Sequence, residues 1–131
     1  MEMGYIVMIP LRLNEKEIKE LQHEFKIYMQ KYFKKMLGWG VDYTKINIVE
    51  DMLVIRGEGF LTEPEIFIAQ TPNGAETIRA SRDRVVNQHI IDNISFFEEI
   101  LHCKCIHQTY CVEPEKNFWM HVIVFDHQLT E

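Results

Sequence analysis

The chain has 131 residues, of which 47% are hydrophobic and 26% charged, and its formal net charge is −6. These proportions suit one globular domain and exclude a disordered chain, and the negative charge argues against non-specific binding to nucleic acid. No apolar run approaches the roughly 18 residues of a membrane span. The three cysteines are odd in number and lie close together between positions 103 and 111, so they are not a disulfide framework. We therefore expect a cytoplasmic protein with no direct membrane insertion.

The first 13 residues are predicted to form an N-terminal arm or an edge strand. Residues 5–9 are apolar and β-prone, and Pro10 then interrupts the segment, as proline does at sheet edges. A disordered tail is the alternative for the first three or four residues. Residues 14–131 are predicted to form a single α+β domain.

A long helix is predicted next. Asn14 followed by Glu17 has the chemistry of an N-cap and its third helical residue, and Gly38 is placed to end the helix in a left-handed conformation. Apolar residues between these ends recur at steps of three and four, which predicts one broad stripe facing a core. They are Ile18, Leu21, Phe25, Tyr28, Met29, Tyr32, Met36 and Leu37.

A β-hairpin is predicted around a turn at Glu50 and Asp51. In that register Ile48 faces Leu53, and Ile46 faces Ile55 across the two strands. All four then lie on one side of the hairpin, whereas a slip of one residue would mix them with polar neighbours.

Two more helices follow the hairpin. Thr62 with Glu65 predicts a capped short helix that ends at about Ala69. The pair at 71–72 predicts the start of a second long helix, with Pro72 in the first turn, where its missing N–H costs nothing. An apolar stripe continues to about Leu101 and predicts the end of this helix there.

The last strand is apolar on both sides. Segments 103–112 and 117–126 are predicted to form a second hairpin, whose final strand has one row of Phe118, Met120, Val122 and Val124 and a second row of Trp119, His121, Ile123 and Phe125. A strand of this kind is normally covered on both faces. Two helices cover one face of a sheet, so the second face needs the N-terminal arm or another subunit. We expect a homodimer, with Trp119, His121, Ile123 and Phe125 in its interface.

The predicted fold is therefore α+β and has two layers. Two hairpins form one antiparallel sheet, to which the N-terminal segment is a candidate additional strand. The two long helices cover one face of that sheet.

Four arginines form a candidate anion or partner-contact site. Arg79, Arg82 and Arg84 lie near the start of the second long helix, and Arg56 of the first hairpin is a candidate neighbour. The competing interpretation is a solvated helix face neutralised by nearby carboxylates.

Histidines and cysteines cluster near the last hairpin. Cys103, Cys105 and His107 alternate along a predicted strand, so neighbours on one face lie about 6.6 Å apart. Two thiolates that share a zinc ion must lie under about 4 Å apart. We therefore predict no metal site, no cofactor and no catalytic residues, and a metal bound by Cys103, Cys105, His107 and His121 stays an alternative.

Several turn, cap and strand motifs carry a family resemblance. They are Gly38-x-Gly40, the run from Val49 to Arg56, the run from Gly59 to Glu65, and Gly74 with Arg79 and Arg82. With this order of elements, the chain resembles the MpsC-like family over about residues 18–126. The chain departs from the family at Thr109-Tyr110-Cys111, where members tend to carry a triplet similar to His-Ser-Asp.

The resemblance implies a function, but it supplies no catalytic residues that can be assigned to positions of this chain. The family takes its name from a proposed role in a sodium-translocating, membrane-potential-generating system. We expect a non-enzymatic cytosolic accessory subunit of a membrane system for ion or inorganic-carbon transport, with a membrane protein as a candidate partner. The alternative is a sensor domain that binds a small ligand or anion through the arginines.

Overall fold

The computed structural model describes residues 12–38 and 43–131. Three α-helices and four β-strands follow one another along these residues in the predicted order. They are α1 (Glu15–Leu37), β1 (Tyr43–Val49), β2 (Met52–Glu58), α2 (Glu63–Ala69), α3 (Gly74–Leu101), β3 (Cys105–Glu113) and β4 (Phe118–Phe125). A short 3-10 turn, Pro114–Lys116, joins β3 to β4.

The four strands form one antiparallel sheet in the order β1-β2-β4-β3. The first hairpin has the predicted register, with Ile48 opposite Leu53 and Ile46 opposite Ile55. Its two turn residues are Glu50 and Asp51, and Glu50 has a φ of 57°, which the tight reversal requires. The predicted α+β fold is confirmed.

One face of the sheet is covered by the two long helices, with α1 against β1 and α3 against β3. Burial alternates along β1, β2 and β4, so every second side chain enters the core between the sheet and the helices. The largest fully buried side chains lie in this layer: Phe25, Met29, Phe33, Leu53, Ile55, Phe60, Phe97, Leu101, Trp119, Ile123, Phe125 and Leu129.

Local capping chemistry sets the helix ends much as predicted. Asn14 and Glu17 form a reciprocal capping box at α1, and Thr62 and Glu65 form a second one at α2. Gly38 ends α1 with a φ of 83°, and its N–H donates to Lys34 O. These contacts involve residues three or four apart, so the sequence alone determines them.

The start of α3 differs from the prediction. The helix begins at Gly74, and Pro72 lies in the preceding turn instead of the first helical turn. Thr71 Oγ1 donates to Ile68 O over 2.6 Å, which keeps this turn folded back on α2. A Cβ atom on Gly74 would lie 1.7 Å from the same Ile68 carbonyl oxygen, so only glycine allows the close approach of the two helices.

The predicted N-terminal arm lies mostly outside the described residues, which begin at 12. Leu13 forms an isolated parallel bridge with Thr130, and its N–H donates to Leu129 O over 2.7 Å. Leu129 N donates in turn to Glu50 O at the first hairpin turn. The segment before α1 is thus tied to the C-terminal segment, which itself crosses the turn between β1 and β2.

Candidate functional site

The four predicted arginines do not form one site. Arg82 is buried, pairs with the Glu65 carboxylate and lies 5.5 Å from the centroid of the Phe60 ring. Burial opposes the ionisation of Glu65, but hydrogen bonds from Arg82 and Thr62 outweigh it and lower the pKa of this carboxyl. The Arg82–Glu65 pair therefore joins α3 to α2 as a structural contact.

The other three arginines point in different directions. Arg79 donates to Val112 O at 3.2 Å and lies 3.5 Å from the Glu115 carboxylate. Arg84 is exposed beside a shallow apolar hollow between α1 and α3. Arg56 belongs to β2 and lies on the face of the sheet away from the helices, because its neighbours Ile55 and Gly57 face the core. The predicted anion patch is therefore not assembled.

The predicted histidine and cysteine cluster is also dispersed. A β-bulge between Cys105 and His107 shifts the register of β3. Cys105 pairs with Phe125 on the core side of β4, and His107 pairs with Val124, which faces the other way. The assumed alternation along one face is wrong here, because the extra residue of a bulge reverses the direction of the side chains that follow.

A different trio offers ligand atoms to a metal. Cys103, Asp126 and His127 bring theirs within 4.8 Å of one another, at the point where β3 begins and β4 ends. The Asp126 carboxylate already accepts from Lys104 N at 3.0 Å and lies 2.7 Å from His127 Nδ1. Burial, assisted by Asp126, raises the pKa of the Cys103 thiol, which opposes the thiolate form that a metal needs.

His121 belongs to a hydrogen-bonded series of side chains in the core, which we call the histidine chain. The Tyr28 hydroxyl donates to Asn93 Oδ1 at 2.6 Å, and Asn93 Nδ2 lies 3.0 Å from His89 Nδ1. His89 Nε2 lies 3.1 Å from His121 Nδ1, and His121 Nε2 lies 2.8 Å from Gln108 Oε1. The series thus runs from α1 through α3 to β4 and β3.

The donors of the histidine chain all point one way. Asn93 Nδ2 can only donate, so His89 Nδ1 accepts and its proton is on Nε2. That proton goes to His121 Nδ1, which leaves the proton of His121 on Nε2, where it is donated to Gln108. Each histidine is therefore the neutral Nε2–H tautomer.

Burial keeps both imidazoles neutral. It lowers the pKa of His89 to about 3, with a further lowering by His121 and an opposing contribution from Asp92. Burial also lowers the pKa of His121 to about 4. Because His89 and His121 are 0% and 1% exposed, no substrate reaches them, and the histidine chain is a structural element of the core.

The sequence indicates this network through polar residues at core positions of α3, which an analysis of apolar residues alone does not include. Polar residues occur within the helical stripe of α3, at the same steps of three and four as its apolar members. The buried positions of α3 are Gly74, Ile78, Arg82, Val86, His89, Asn93, Phe97 and Leu101. A polar residue at a core position predicts a buried partner, although it does not identify that partner.

The row of β4 predicted to form an oligomer interface lies inside the protomer. Trp119, His121, Ile123 and Phe125 are each at most 1% exposed, because α1 and α3 cover them. The interface assignment is corrected accordingly: these four residues are core. The opposite row, Phe118, Met120, Val122 and Val124, is half-buried and faces away from the helices.

The strand registers define that second side, which none of the described helices covers and which we call the uncovered face. Cross-strand neighbours place apolar residues at its centre and charged residues toward one end. The apolar members are Val49, Met52, Val54, Phe118, Met120, Val122 and Val124, and the charged ones are Lys45, Arg56, Glu58 and Glu113. Arg56 Nε is buried and has no hydrogen-bond partner among the described residues. An apolar face with an unpaired guanidinium is suited to a protein contact.

None of the helices within residues 12–38 and 43–131 combines the length and the apolarity needed to cross a bilayer.

Comparison with known proteins identifies the family. YrhF of Bacillus subtilis (strain 168), named as an uncharacterized protein, is 31% identical over 110 residues, which is 83% of this chain and 90% of that protein. No solved structure matches the chain. A family model described as "Na+-translocating membrane potential-generating system (MpsC)" matches residues 17–127, which include all four strands and all but the ends of the domain. The chain therefore belongs to the MpsC family, as its turn and cap motifs suggested.

Proposed function

We propose that this protein is a non-enzymatic accessory subunit of a Na+-translocating, membrane-potential-generating system and that it acts as a homodimer through the uncovered face. The family description supports the link to that system. The carrying observation is the half-buried apolar row of β4, which the described helices leave without a cover. The histidine chain is sealed in the core and the arginines are dispersed, so neither supplies a competing catalytic centre among the described residues.

The charges of the uncovered face support a second copy of the chain as its occupant. The face carries Lys45 and Arg56 together with Glu58 and Glu113, so both signs are present. A two-fold contact places the same patch on both partners, and a patch of mixed sign can then meet opposite charges. A carboxylate from the second copy would also give the unpaired Arg56 Nε an acceptor.

The size of the face sets the expected strength of the dimer. Four strands spaced about 4.8 Å apart, each with about seven residues of about 3.3 Å, give a flat footprint of roughly 400 Å² per copy. Two such footprints fall below the roughly 1,200–2,000 Å² of stable complexes. We therefore expect a dimer that dissociates on dilution.

Sedimentation equilibrium over a wide concentration range tests the dimer. The wild-type chain is expected to dimerise as concentration rises, and V122E on the uncovered face is expected to stay monomeric because the contact would bury a carboxylate among apolar residues. The matched control is I91E, since Ile91 is an apolar residue of α3 that is 62% exposed. R56Q is a second interface variant. It removes the charge of Arg56, keeps most of the side-chain volume and introduces no carboxylate into β2, and it is also expected to weaken the dimer.

The outcomes are separable. Loss of dimer in V122E and R56Q, with the wild-type far-ultraviolet circular dichroism spectrum retained and I91E still dimeric, supports the proposal. A wild-type chain that remains monomeric at several hundred micromolar refutes the dimer.

We further propose a cytoplasmic location and a membrane-protein partner, supported by the family description. Co-sedimentation with native membrane vesicles, but not with protease-treated vesicles or pure lipid, is the expected result. Equal binding to pure lipid contradicts this part of the proposal.

A further inference from the structure

A lysine-lined cleft lies at the edge of the sheet, between α1 and β1. Its volume is about 300 Å³. The lining residues come from one face of α1 and from the first half of β1: Lys19, Gln22, His23, Lys26, Tyr43, Thr44, Lys45 and Ile46. Positions 19, 22, 23 and 26 follow the helical repeat, so they share one side of α1. The cleft is therefore built by regular elements.

The cleft is positive in a protein of net charge −6. Lys19 and Lys26 line it from α1 and Lys45 from β1, and none of the described aspartates and glutamates lines it. None of the ion pairs found within residues 12–38 and 43–131 involves Lys19, Lys26 or Lys45. A local concentration of unpaired cations against the overall charge of the chain attracts anions.

A buried hydroxyl supplies an independent sign of a ligand. Thr44 is 4% exposed, and its Oγ1 is buried without a hydrogen-bond partner among the described residues. Buried hydroxyl groups almost always have a partner, and an unsatisfied one calls for an explanation such as a missing ion. Because Thr44 lines the cleft, a bound anion would accept this hydrogen bond.

Three further hydrogen-bond donors lie at the same place. Gln22 Oε1 accepts from Ile48 N at 2.8 Å, which leaves the amide nitrogen of Gln22 as a donor beside the cleft. Ile48 N thus points to the outer edge of β1. Because N–H groups alternate along a strand, those of Ile46 and Thr44 point to that edge too.

We propose that this cleft binds a small oxyanion, either a phosphoryl or a carboxylate compound, between the ammonium groups of Lys19 and Lys26 and the Thr44 hydroxyl. The volume is at the lower end of the range for small-molecule sites, which sets the size of the ligand. The site contacts its ligand through Lys19, Lys26 and the helix-facing side chain of Thr44, whereas Lys45 belongs to the uncovered face, so the site does not depend on the proposed dimer.

Isothermal titration calorimetry at constant ionic strength tests the site, with inorganic phosphate and succinate as the two probes. Saturable binding of either probe is expected, and the probe that binds identifies the phosphoryl or the carboxylate class. In the double variant K19Q/K26Q the affinity should fall about tenfold or more, because two charge-assisted hydrogen bonds are lost. The control K34Q/K35Q removes two exposed lysines of the same helix, so its net charge equals that of K19Q/K26Q. Because Lys34 and Lys35 do not line the cleft, this control should change the affinity less than about twofold.

T44V separates a built site from a diffuse charge effect. The valine keeps the shape of the threonine and removes only the hydroxyl, so we expect weaker binding with a melting temperature equal to or above that of the wild-type chain. The proposal is overturned if neither probe binds saturably, if the two double-lysine variants weaken binding equally, or if T44V binds as tightly as wild type. None of these results bears on the oligomeric state, so failure here is distinct from failure of the dimer.

Discussion

Strand β4 has two apolar rows of similar composition in very different surroundings. Trp119 and Ile123 face the helices and are 1% and 0% exposed, whereas Met120 and Val122 face the opposite way and are only half-buried. The alternation along the strand predicts that two rows exist. Which row is covered depends on where α1 and α3 pack, and that is a property of the tertiary fold. A doubly apolar strand thus indicates two covers but does not say which one its own chain provides.

The largest expected effect compares neighbouring residues on the two faces. W119A should lower the free energy of unfolding by about 3–5 kcal/mol, because it leaves a cavity against Phe33 and His89, whose ring centroids lie 5.3 and 5.7 Å from that of Trp119. M120A removes a half-buried side chain and should cost about 1 kcal/mol or less. Urea unfolding of the monomer measures both. Equal losses would show that the two faces are covered alike.

The second largest expected effect is a loss of folding stability in acid, caused by the two buried histidines. His89 and His121 have pKa values of about 3 and about 4 in the folded chain, below the ordinary value near 6.5. As the pH falls below about 6.5, the unfolded chain takes up these two protons and the folded chain does not, so stability falls with pH. The loss is about 1.4 kcal/mol per pH unit for each histidine, or on the order of 4 kcal/mol between pH 6 and 4.

Urea unfolding at pH 7, 6, 5 and 4 measures this loss, and nitrogen-15 NMR of the imidazoles reports the protonation state directly. Stability that does not change between pH 6 and 5, or signals assigned to His89 and His121 of the folded chain that titrate near 6.5, would contradict the buried neutral pair.

A smaller effect is expected at Gly57, where the backbone of β2 lies against Trp119 of the buried row of β4. A Cβ atom on Gly57 would lie 2.0 Å from Trp119 Nε1, so G57A should cost about 1–3 kcal/mol through displacement of the indole. A double-mutant cycle with W119F, whose smaller ring lacks that nitrogen, should reduce the penalty of G57A. An undiminished penalty would place the strain elsewhere in β2.

Local chemistry made much of the fold predictable. The capping boxes at Asn14 and Thr62 and the turn at Glu50 depend on residues at most four apart, and all three are present as predicted. The bulge after Cys105 was missed because it appears only when the pairing with β4 is known. The start of α3 was misplaced because the contact between Gly74 and Ile68 involves the packing of two helices.

The candidate sites were less predictable, since they combine residues far apart in the chain. His89 and His121 are separated by 32 positions, and nothing near either one identifies the other. Lys19 and Lys26 look like ordinary solvated residues until α1 is placed beside Lys45 and Thr44 of β1. The arginines showed the opposite behaviour: Arg79 and Arg82 are close in sequence, but their side chains bond to different elements.

The histidine chain has a consequence for the time scale on which the core opens. Its protons form one ordered arrangement from Tyr28 to Gln108, and the reverse arrangement requires both amide groups to turn over and both rings to exchange tautomers together. Because His89 and His121 are 0% and 1% exposed, water reaches their N–H groups only when the core opens locally. The hydrogen–deuterium exchange rate of the two imidazole N–H groups therefore reports how often the core opens to water.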